Sequence, residues 1–298
     1  MLEQNQNNSI KYSIIIPVFN EETAIRGVVS ELTSFLKQHF FDNFELILVN
    51  DGSTDNTAQA LTGLGIPFLK IISHPYNQGY GSALKTGARS SQGEFIAFYD
   101  GDGQHRPEDL FCLLKQADNY DMVIGDRGGQ EVSRVRGWGK KFLNALANYL
   151  VSFKIPDLNS GLRVVRRDCF DKFAHLYPKG FSLSTTVTLV FIKHGFTVKY
   201  LPIEVQKRKG RSSLKFSDGF KTIQLIVRMI MLFSPLKIFL PVSFLFGVGS
   251  FASLLVDLLY YHFNLSQTTM LLFISAILFF SLGLIADQLA ALRRELKL

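Results

Sequence analysis

Two long apolar segments near the end of the sequence restrict the fold more than any other feature. No residue is charged from Ile238 to Val256, and none is charged from Leu265 to Ala286. Because an α-helix rises about 1.5 Å per residue, each segment is long enough as a helix to cross a hydrocarbon layer of roughly 30 Å. The sequence therefore predicts two transmembrane helices. The less favoured alternative is a pair of helices buried in a large core.

The distribution of Lys and Arg around these segments predicts their orientation. The connection around Tyr260 to Gln267 contains neither residue, whereas both occur on the far side of each segment. Because positive charge is retained on the cytoplasmic side of a membrane, we expect both termini and the long N-terminal region in the cytoplasm. The polar start of the sequence, which lacks an apolar signal core, agrees with this expectation. The flanking basic residues are Lys221, Arg228 and Lys237 before the first segment and Arg293, Arg294 and Lys297 after the second.

A strongly basic segment precedes the apolar part of the chain. From Lys193 to Lys215 there are seven Lys or Arg residues and one acidic residue, Glu204. Cations close to a bilayer are attracted to anionic lipid head groups by about 1 kcal/mol each. We therefore expect a membrane as the partner of this segment and no nucleic acid. A basic face that is merely solvated is the alternative.

The first half of the sequence alternates short apolar runs with longer stretches typical of helices. This pattern predicts βαβ units and an α/β fold with a mostly parallel sheet, in which ligands bind beyond the carboxyl ends of the strands. The predicted strands are residues 12–18, 44–50, 68–73, 94–100 and 121–125, and the predicted helices are residues 21–40, 56–64, 81–90 and 107–117.

One predicted strand ends in the polar run "FYDGDGQHRPEDL", residues 98–110. Asp100, Asp102 and Gln104 alternate with glycines, so an extended backbone would point all three side chains to one side. Their oxygen atoms suit a hard cation such as Mg²⁺ or Mn²⁺, with water or phosphate completing the coordination shell. Asp-Gly pairs are also common turn formers, so an acidic turn is the alternative. We expect His105 to face the other way and to be structural.

Two further predicted strands end in polar segments, "PVFNEE" at residues 17–22 and "NDGSTDNT" at residues 50–57. Asp51 in the second segment could accept hydrogen bonds from ribose hydroxyls or from a base N–H, as acidic residues do in nucleotide-binding folds. A turn followed by a helix cap would explain the same residues. Three polar strand ends in one parallel sheet favour a binding site.

These motifs, taken together, resemble those of a known family. "SIIIPVFNEE", "LVNDGSTDNT", "HPYNQGYGSALKTGA" and "YDGDGQHRPED" occur in the order and spacing of family 2 glycosyltransferases of the GT-A fold. With the two apolar segments, the sequence is most similar to polyprenyl-phosphate glycosyltransferases, which include dolichyl-phosphate mannose synthases and undecaprenyl-phosphate glucosyltransferases. Processive polysaccharide synthases share the motifs, but their Gln-x-x-Arg-Trp segment is absent from this sequence.

The resemblance implies an architecture and an activity. A GT-A nucleotide-diphospho-sugar transferase domain would occupy residues 1–210, interfacial amphipathic helices residues 211–235, and a transmembrane hairpin with a short tail residues 236–298. The implied reaction is inverting, metal-dependent transfer of a hexose from a donor of the UDP-glucose or GDP-mannose type to a polyprenyl phosphate at the cytoplasmic membrane face. The alternatives are a non-catalytic scaffold that binds nucleotide sugar and a transferase with another membrane acceptor. A homo-oligomer is compatible with the resemblance.

The resemblance also implies the residues of the site. Asp157, Arg127 and Arg136 would be catalytic. Because the attacking phosphate oxygen is already ionised, a general base is not required, and we expect Asp157 to position the sugar or a basic residue. The alternative for Asp157 is a turn-forming role. The alternative for the two arginines is that they are solvated residues on the surface. The other implied contacts are Pro17, Phe19, Glu21, Asp51, Asp100 and Asp102 to the nucleotide sugar, Asp100, Asp102 and Gln104 to Mg²⁺ or Mn²⁺, and Arg136, Lys207, Arg208, Arg211 and Ser212 to the acceptor phosphate or lipid.

Overall fold

The computed structural model describes residues 10–40, 43–128, 156–157, 160–180, 182–206, 227, 230–231, 234–260 and 265–295. These residues divide into two compact units, of which the first contains the described residues between 10 and 206 and the second those from 227 onward. The predicted interfacial segment, 211–235, lies for the most part outside the described residues, so the three-part division stays a prediction.

The first unit is a seven-stranded sheet with helices packed against it. The strands have the order β3-β2-β1-β4-β6-β5-β7, and β6 runs antiparallel to both of its neighbours while the other pairs are parallel. The predicted α/β fold with a mostly parallel sheet is confirmed. The strands are β1 Tyr12–Val18, β2 Phe44–Asn50, β3 Leu69–Ser73, β4 Phe95–Phe98, β5 Met122–Asp126, β6 Arg163–Arg166 and β7 Val198–Pro202. The helices are α1 Ile25–Phe40, α2 Thr57–Leu61, α3 Tyr80–Arg89, α4 Pro107–Gln116, α5 Arg167–Lys172 and α6 Leu183–Lys193.

The core of this unit lies on both faces of the central strands. Every residue of β1 and of β2 is buried, which explains why both strands are almost continuously apolar. Helix α1 buries Ile25, Leu32 and Leu36, a helical spacing that aligns one apolar face with the sheet. Each such side chain contributes roughly 1.5–3 kcal/mol when it is fully buried. The carboxyl ends of the strands are therefore held on a rigid framework.

The second unit is a pair of long helices, α7 Leu236–Tyr260 and α8 Gln267–Glu295. In their most apolar 18-residue windows only 6% and 11% of the residues are buried, so these helices do not form the core of a soluble domain. Their length and composition fit transmembrane spans, in agreement with the prediction.

Polar contacts join the two helices of this hairpin. Ser243 donates a hydrogen bond to the carbonyl of Ala276 at 2.8 Å. Near the connection, the buried carboxylate of Asp257 accepts hydrogen bonds from the backbone N–H of Ser266 at 2.9 Å and from the hydroxyl of Thr269 at 2.6 Å. Because backbone N–H groups at the start of a helix have no partner within that helix, Asp257 caps the beginning of α8.

Candidate active site

The loops after β1 and β2 are tied to each other at the carboxyl edge of the sheet. Asn20, whose φ is 57°, donates its backbone N–H to the hydroxyl of Ser53 and accepts from the backbone N–H of Thr54 at 2.8 Å. The backbone N–H of Glu21 donates to the hydroxyl of Thr57 at 2.9 Å. These hydrogen bonds fix the segment that contains three residues predicted to contact the nucleotide sugar. Of these, Pro17 and Glu21 are buried and Phe19 is 41% exposed.

Asp51, at the end of β2, is buried and anchors the loop that follows β3. Its Oδ1 accepts hydrogen bonds from the backbone N–H of Gln78 at 2.9 Å and from Nδ1 of His74 at 2.7 Å, and its Oδ2 accepts from the backbone N–H of Gly79 at 2.8 Å. Gly52 has a φ of 66° and packs against the backbone of Tyr76, where a Cβ would clash. Both oxygens of Asp51 therefore accept hydrogen bonds from this loop. The predicted contact of Asp51 with the nucleotide stays a prediction.

The acidic run after β4 is a turn, and the argument from an extended backbone is wrong for it. Strand β4 ends at Phe98, a turn follows at residues 101–103, and Gly103 has a φ of 75°. The backbone N–H of Gln104 donates to Oδ1 of Asp102 at 3.1 Å, so part of the predicted cluster closes on itself. The acidic turn is therefore observed, whereas the cation site stays a prediction, because a turn can also present oxygen ligands.

The carboxylate of Asp100 is held by side chains on both of its oxygens. Oδ1 accepts a hydrogen bond from the hydroxyl of Tyr80 at 2.9 Å, Oδ2 lies 3.3 Å from Nε2 of His105, and a Cβ at Gly161 would overlap Oδ2. Burial raises the pKa of Asp100, but His105, Tyr80 and the charge of Arg127 outweigh burial and leave this pKa below its ordinary value. Asp100 is therefore ionised at neutral pH, as a cation ligand must be.

The expectation that His105 faces away from the acidic run is wrong, and the reason is the turn. In an extended chain neighbouring side chains point to opposite sides, whereas the turn returns the chain towards β4 and brings His105 to Asp100. The histidine is buried, and its backbone carbonyl accepts a hydrogen bond from the hydroxyl of Tyr99 at 2.6 Å.

Arg127 and Asp157, which are 30 residues apart in sequence, form a bidentate ion pair. Nε of Arg127 lies 2.6 Å from Oδ2 of Asp157, and Nη2 lies 2.9 Å from Oδ1. The side chain of Asp157 is 3% exposed and that of Arg127 is 30% exposed. A buried carboxylate that accepts two hydrogen bonds from a guanidinium is suited to orienting the arginine and is a poor proton acceptor.

A second arginine, Arg163 in β6, is part of this region and was missed from the sequence. It is completely buried, and its guanidinium donates to the carbonyl of Ser184 at 2.7 Å, to the hydroxyl of Thr188 at 3.1 Å and to the carbonyl of Ser160. Burial lowers the pKa of Arg163. The available signal was its position in the apolar run "GLRVV", because a cation within a buried strand requires polar partners.

The segment after β7 runs beside the acidic turn. The backbone N–H of Gln206 donates to the carbonyl of Gln104 at 2.9 Å, and Nη1 of Arg106 lies 2.8 Å from Oε2 of Glu204. Four of the residues predicted to contact the acceptor follow Gln206 in sequence. These four, Lys207, Arg208, Arg211 and Ser212, and also Arg136, lie outside the described residues, so their roles stay predictions.

The acidic turn offers two carboxylates and one amide oxygen to a cation. No group of three or more His, Cys, Asp or Glu side chains arranged to hold a metal occurs in the described part of the chain. The donor set of Asp100, Asp102 and Gln104 fits a hard divalent cation that takes its remaining ligands from phosphate oxygens and water. A cavity of about 710 Å³ lies elsewhere, between residues 58 and 73, and contains none of these side chains.

Comparison with known protein families gives two matches. Residues 13–173 match glycosyl transferase family 2, and residues 234–292 match the GtrB C-terminal hairpin. The first match runs from β1 through α5 and contains the strand ends described above, whereas the second contains α7 and α8.

Similar proteins include two membrane-lipid sugar transferases and one solved structure. An undecaprenyl-phosphate 4-deoxy-4-formamido-L-arabinose transferase from Proteus mirabilis is 28% identical over 81% of this chain and 74% of its own. A dolichyl-phosphate beta-glucosyltransferase from Trichomonas vaginalis is 25% identical over 72% of this chain and 71% of its own. The crystal structure of glucosyl-3-phosphoglycerate synthase from Mycobacterium tuberculosis with Mn²⁺ and UDP-glucose aligns with a TM-score of 0.58 and 22% identity over 74% of this chain and 78% of its own. At this identity the structural alignment shows a shared fold.

Proposed function

The chain belongs to glycosyl transferase family 2, and from this premise we propose that it transfers a hexose from a nucleotide-diphosphate sugar to a polyprenyl phosphate. The two relatives described above are named for undecaprenyl-phosphate and dolichyl-phosphate acceptors, and the hairpin of α7 and α8 supports a lipid acceptor here. The observation that carries the proposal is the anionic turn at the end of β4 together with Arg127, whose charge acts on Asp100.

The donor would bind at the carboxyl edge of the sheet, beside the loops after β1 and β2. Pro17, Phe19, Glu21 and Asp51 are the residues proposed to contact the nucleotide. Hydrogen bonds to Ser53, Thr54 and Thr57 hold the first of these loops in place before the donor arrives. Such preorganisation lowers the entropy that is lost on binding.

Departure of the nucleoside diphosphate places negative charge at the acidic turn. Asp100, Asp102 and Gln104 would hold a Mg²⁺ or Mn²⁺ ion, which supplies electrostatic stabilisation to the departing diphosphate. The aligned structure of glucosyl-3-phosphoglycerate synthase was determined with Mn²⁺ and UDP-glucose, which supports the use of a divalent ion in this fold. The low pKa of Asp100 keeps its carboxylate charged for this purpose.

Arg127 would bring the acceptor phosphate towards the donor. A planar guanidinium binds two phosphate oxygens and stays protonated at every working pH. Asp157 would hold this guanidinium in place through the bidentate pair and would take no proton, since the acceptor oxygen is already ionised. Direct in-line attack of this oxygen on the anomeric carbon would invert its configuration.

The hairpin would keep the enzyme where its acceptor is. A polyprenyl phosphate cannot leave the bilayer, so its phosphate is confined to the interface. We propose that both termini and the sheet domain are on the cytoplasmic side, and the distribution of Lys and Arg supports this topology.

Lipid products would test the proposed function. The full chain, purified in detergent, is incubated with Mn²⁺, short polyprenyl phosphates and each of several UDP- and GDP-sugars, and the lipids are weighed by mass spectrometry. We expect a lipid heavier by one hexose with one class of donor. Tight binding of a nucleotide sugar without any glycosylated lipid would instead favour the non-catalytic scaffold.

A further inference from the structure

The hydroxyl of Tyr80 lies in the region of the acidic turn, and no role follows for it from the sequence motifs. Tyr80 is the first residue of α3, and its hydroxyl donates a hydrogen bond to Oδ1 of Asp100 at 2.9 Å. We propose that Tyr80 is a positioning residue that fixes the carboxylate of Asp100 in the orientation needed to bind a divalent cation. This inference rests on the proposed function, because it assumes that the acidic turn binds such an ion.

The backbone on both sides of Tyr80 is held in place. Gly79 has a φ of 100°, which strongly favours glycine, and its N–H donates to the buried carboxylate of Asp51. On the other side, the backbone N–H of Ser82 donates to the carbonyl of Lys179 at 2.9 Å. A Cβ at Gly81 would clash with the carbonyl of Pro178. These contacts fix the start of α3, and they therefore fix the position from which the phenol reaches Asp100.

The hydroxyl of Tyr80 is the donor of this hydrogen bond. An ionised carboxylate such as that of Asp100 can only accept, so the proton between the two side chains is that of the phenol. The single proton of a phenol points along one direction, and here its acceptor is a carboxylate oxygen. The Asp100 side chain thereby loses rotational freedom that it would otherwise lose only on binding a cation.

Three contacts surround the carboxylate of Asp100 and leave one part of it accessible. Tyr80 contacts Oδ1, whereas His105 and the backbone at Gly161 contact Oδ2. The side chain remains 28% exposed, so a cation can approach the remaining lone pairs. Outer hydrogen bonds of this kind orient metal ligands, and their loss typically weakens metal binding by about 10- to 100-fold.

A neutral donor suits this position better than a cation would. A Lys or Arg in contact with Oδ1 would orient the carboxylate but would also cancel the charge that attracts a divalent ion. The phenol of Tyr80 orients Asp100 and leaves its full negative charge in place. Tyr80 therefore acts on the ion only through Asp100.

The test compares two tyrosine variants that each lose one hydroxyl. Tyr80→Phe removes the hydrogen bond to Asp100 and keeps the ring. Tyr177→Phe is the matched control, because the Tyr177 hydroxyl is buried and has no hydrogen-bond partner among the described residues. Mn²⁺ affinity of the full chain is measured by electron paramagnetic resonance with UDP present, and the Mn²⁺ dependence of transfer is measured alongside the thermal midpoint.

We expect Tyr80→Phe to weaken Mn²⁺ binding about tenfold and to raise the Mn²⁺ concentration for half-maximal transfer by a similar factor, while kcat at saturating Mn²⁺ changes less. Tyr177→Phe should change neither quantity. Wild-type Mn²⁺ affinity in Tyr80→Phe, or an equal loss in both variants, would overturn the positioning role while the proposed function stands. A wild-type chain that binds no Mn²⁺ and makes no glycosylated lipid would overturn both, so the two failures are distinguishable.

Discussion

Two variants of the ion pair between Arg127 and Asp157 separate the contribution of Arg127 to stability from its proposed role in catalysis. Arg127→Met removes both hydrogen bonds that the guanidinium donates to the carboxylate of Asp157, which is 3% exposed. Removing one partner of a fully buried pair costs about 3–5 kcal/mol. Because Arg127 is 30% exposed, water reaches part of this pair, and we expect about 2–3 kcal/mol. For a unit of this size that loss lowers the thermal midpoint by about 4–12 °C.

The second change, Asp157→Asn, is added to Arg127→Met. The double variant also removes the buried charge of Asp157, so we expect it to recover at least half of the lost stability. Transfer should respond differently. If Arg127 binds the acceptor phosphate, Arg127→Met loses one charged bidentate contact, which contributes about 1.5–3 kcal/mol. We therefore expect kcat/KM to fall by about 10- to 100-fold. This loss should persist in the double variant.

The assays are thermal unfolding of the full chain in detergent micelles and steady-state transfer at saturating donor over a range of lipid concentrations, which gives kcat/KM for the lipid. Arg127→Lys keeps the charge without the planar fork, and we expect at least a tenfold loss of transfer. Arg166→Met is the matched control, since Arg166 is also partly exposed and pairs with Glu94 at 3.1 Å. That surface pair should contribute only about 0–1 kcal/mol and nothing to the rate. Transfer that returns with stability in the double variant would refute the phosphate-binding role of Arg127.

Three further outcomes are expected. Asp102→Ala, or excess chelator with the wild-type chain, should abolish transfer with little change in the thermal midpoint, and full activity in chelator would exclude the cation site. Gly161→Ala should displace the carboxylate of Asp100 and lower transfer at least tenfold, whereas Gly180→Ala, where a Cβ meets nothing within 4 Å, should leave the rate within about twofold; equal rates in both variants would contradict the contact at Gly161. A chain truncated after Lys209 should bind nucleotide but glycosylate long-chain lipid in vesicles much more slowly than the full chain, and equal rates would show that the C-terminal part does not position the acceptor.

Local patterns determined the elements whose stability depends on continuous burial. The predicted bounds of β1 and β2 agree with the structure, because strands buried on both faces require an unbroken apolar run. The uncharged segments that begin at Ile238 and Leu265 predicted α7 and α8, because each segment is long enough as a helix to cross a membrane. The position of the site followed from the same logic, because parallel strands place their polar ends at one edge of the sheet.

Only the tertiary structure decided how the side chains of the site meet. Tyr80 and Asp100 are 20 residues apart, Arg127 and Asp157 are 30 apart, and Arg163 and its partner Ser184 are 21 apart. No local preference encodes such pairs, because each depends on where separate elements pack and on which side chains burial forces to find a partner. The turn after β4 shows that a local pattern can mislead even over a few residues. Its alternating sequence fits a strand, but β4 ends at Phe98 and the glycines allow a turn that brings His105 to Asp100.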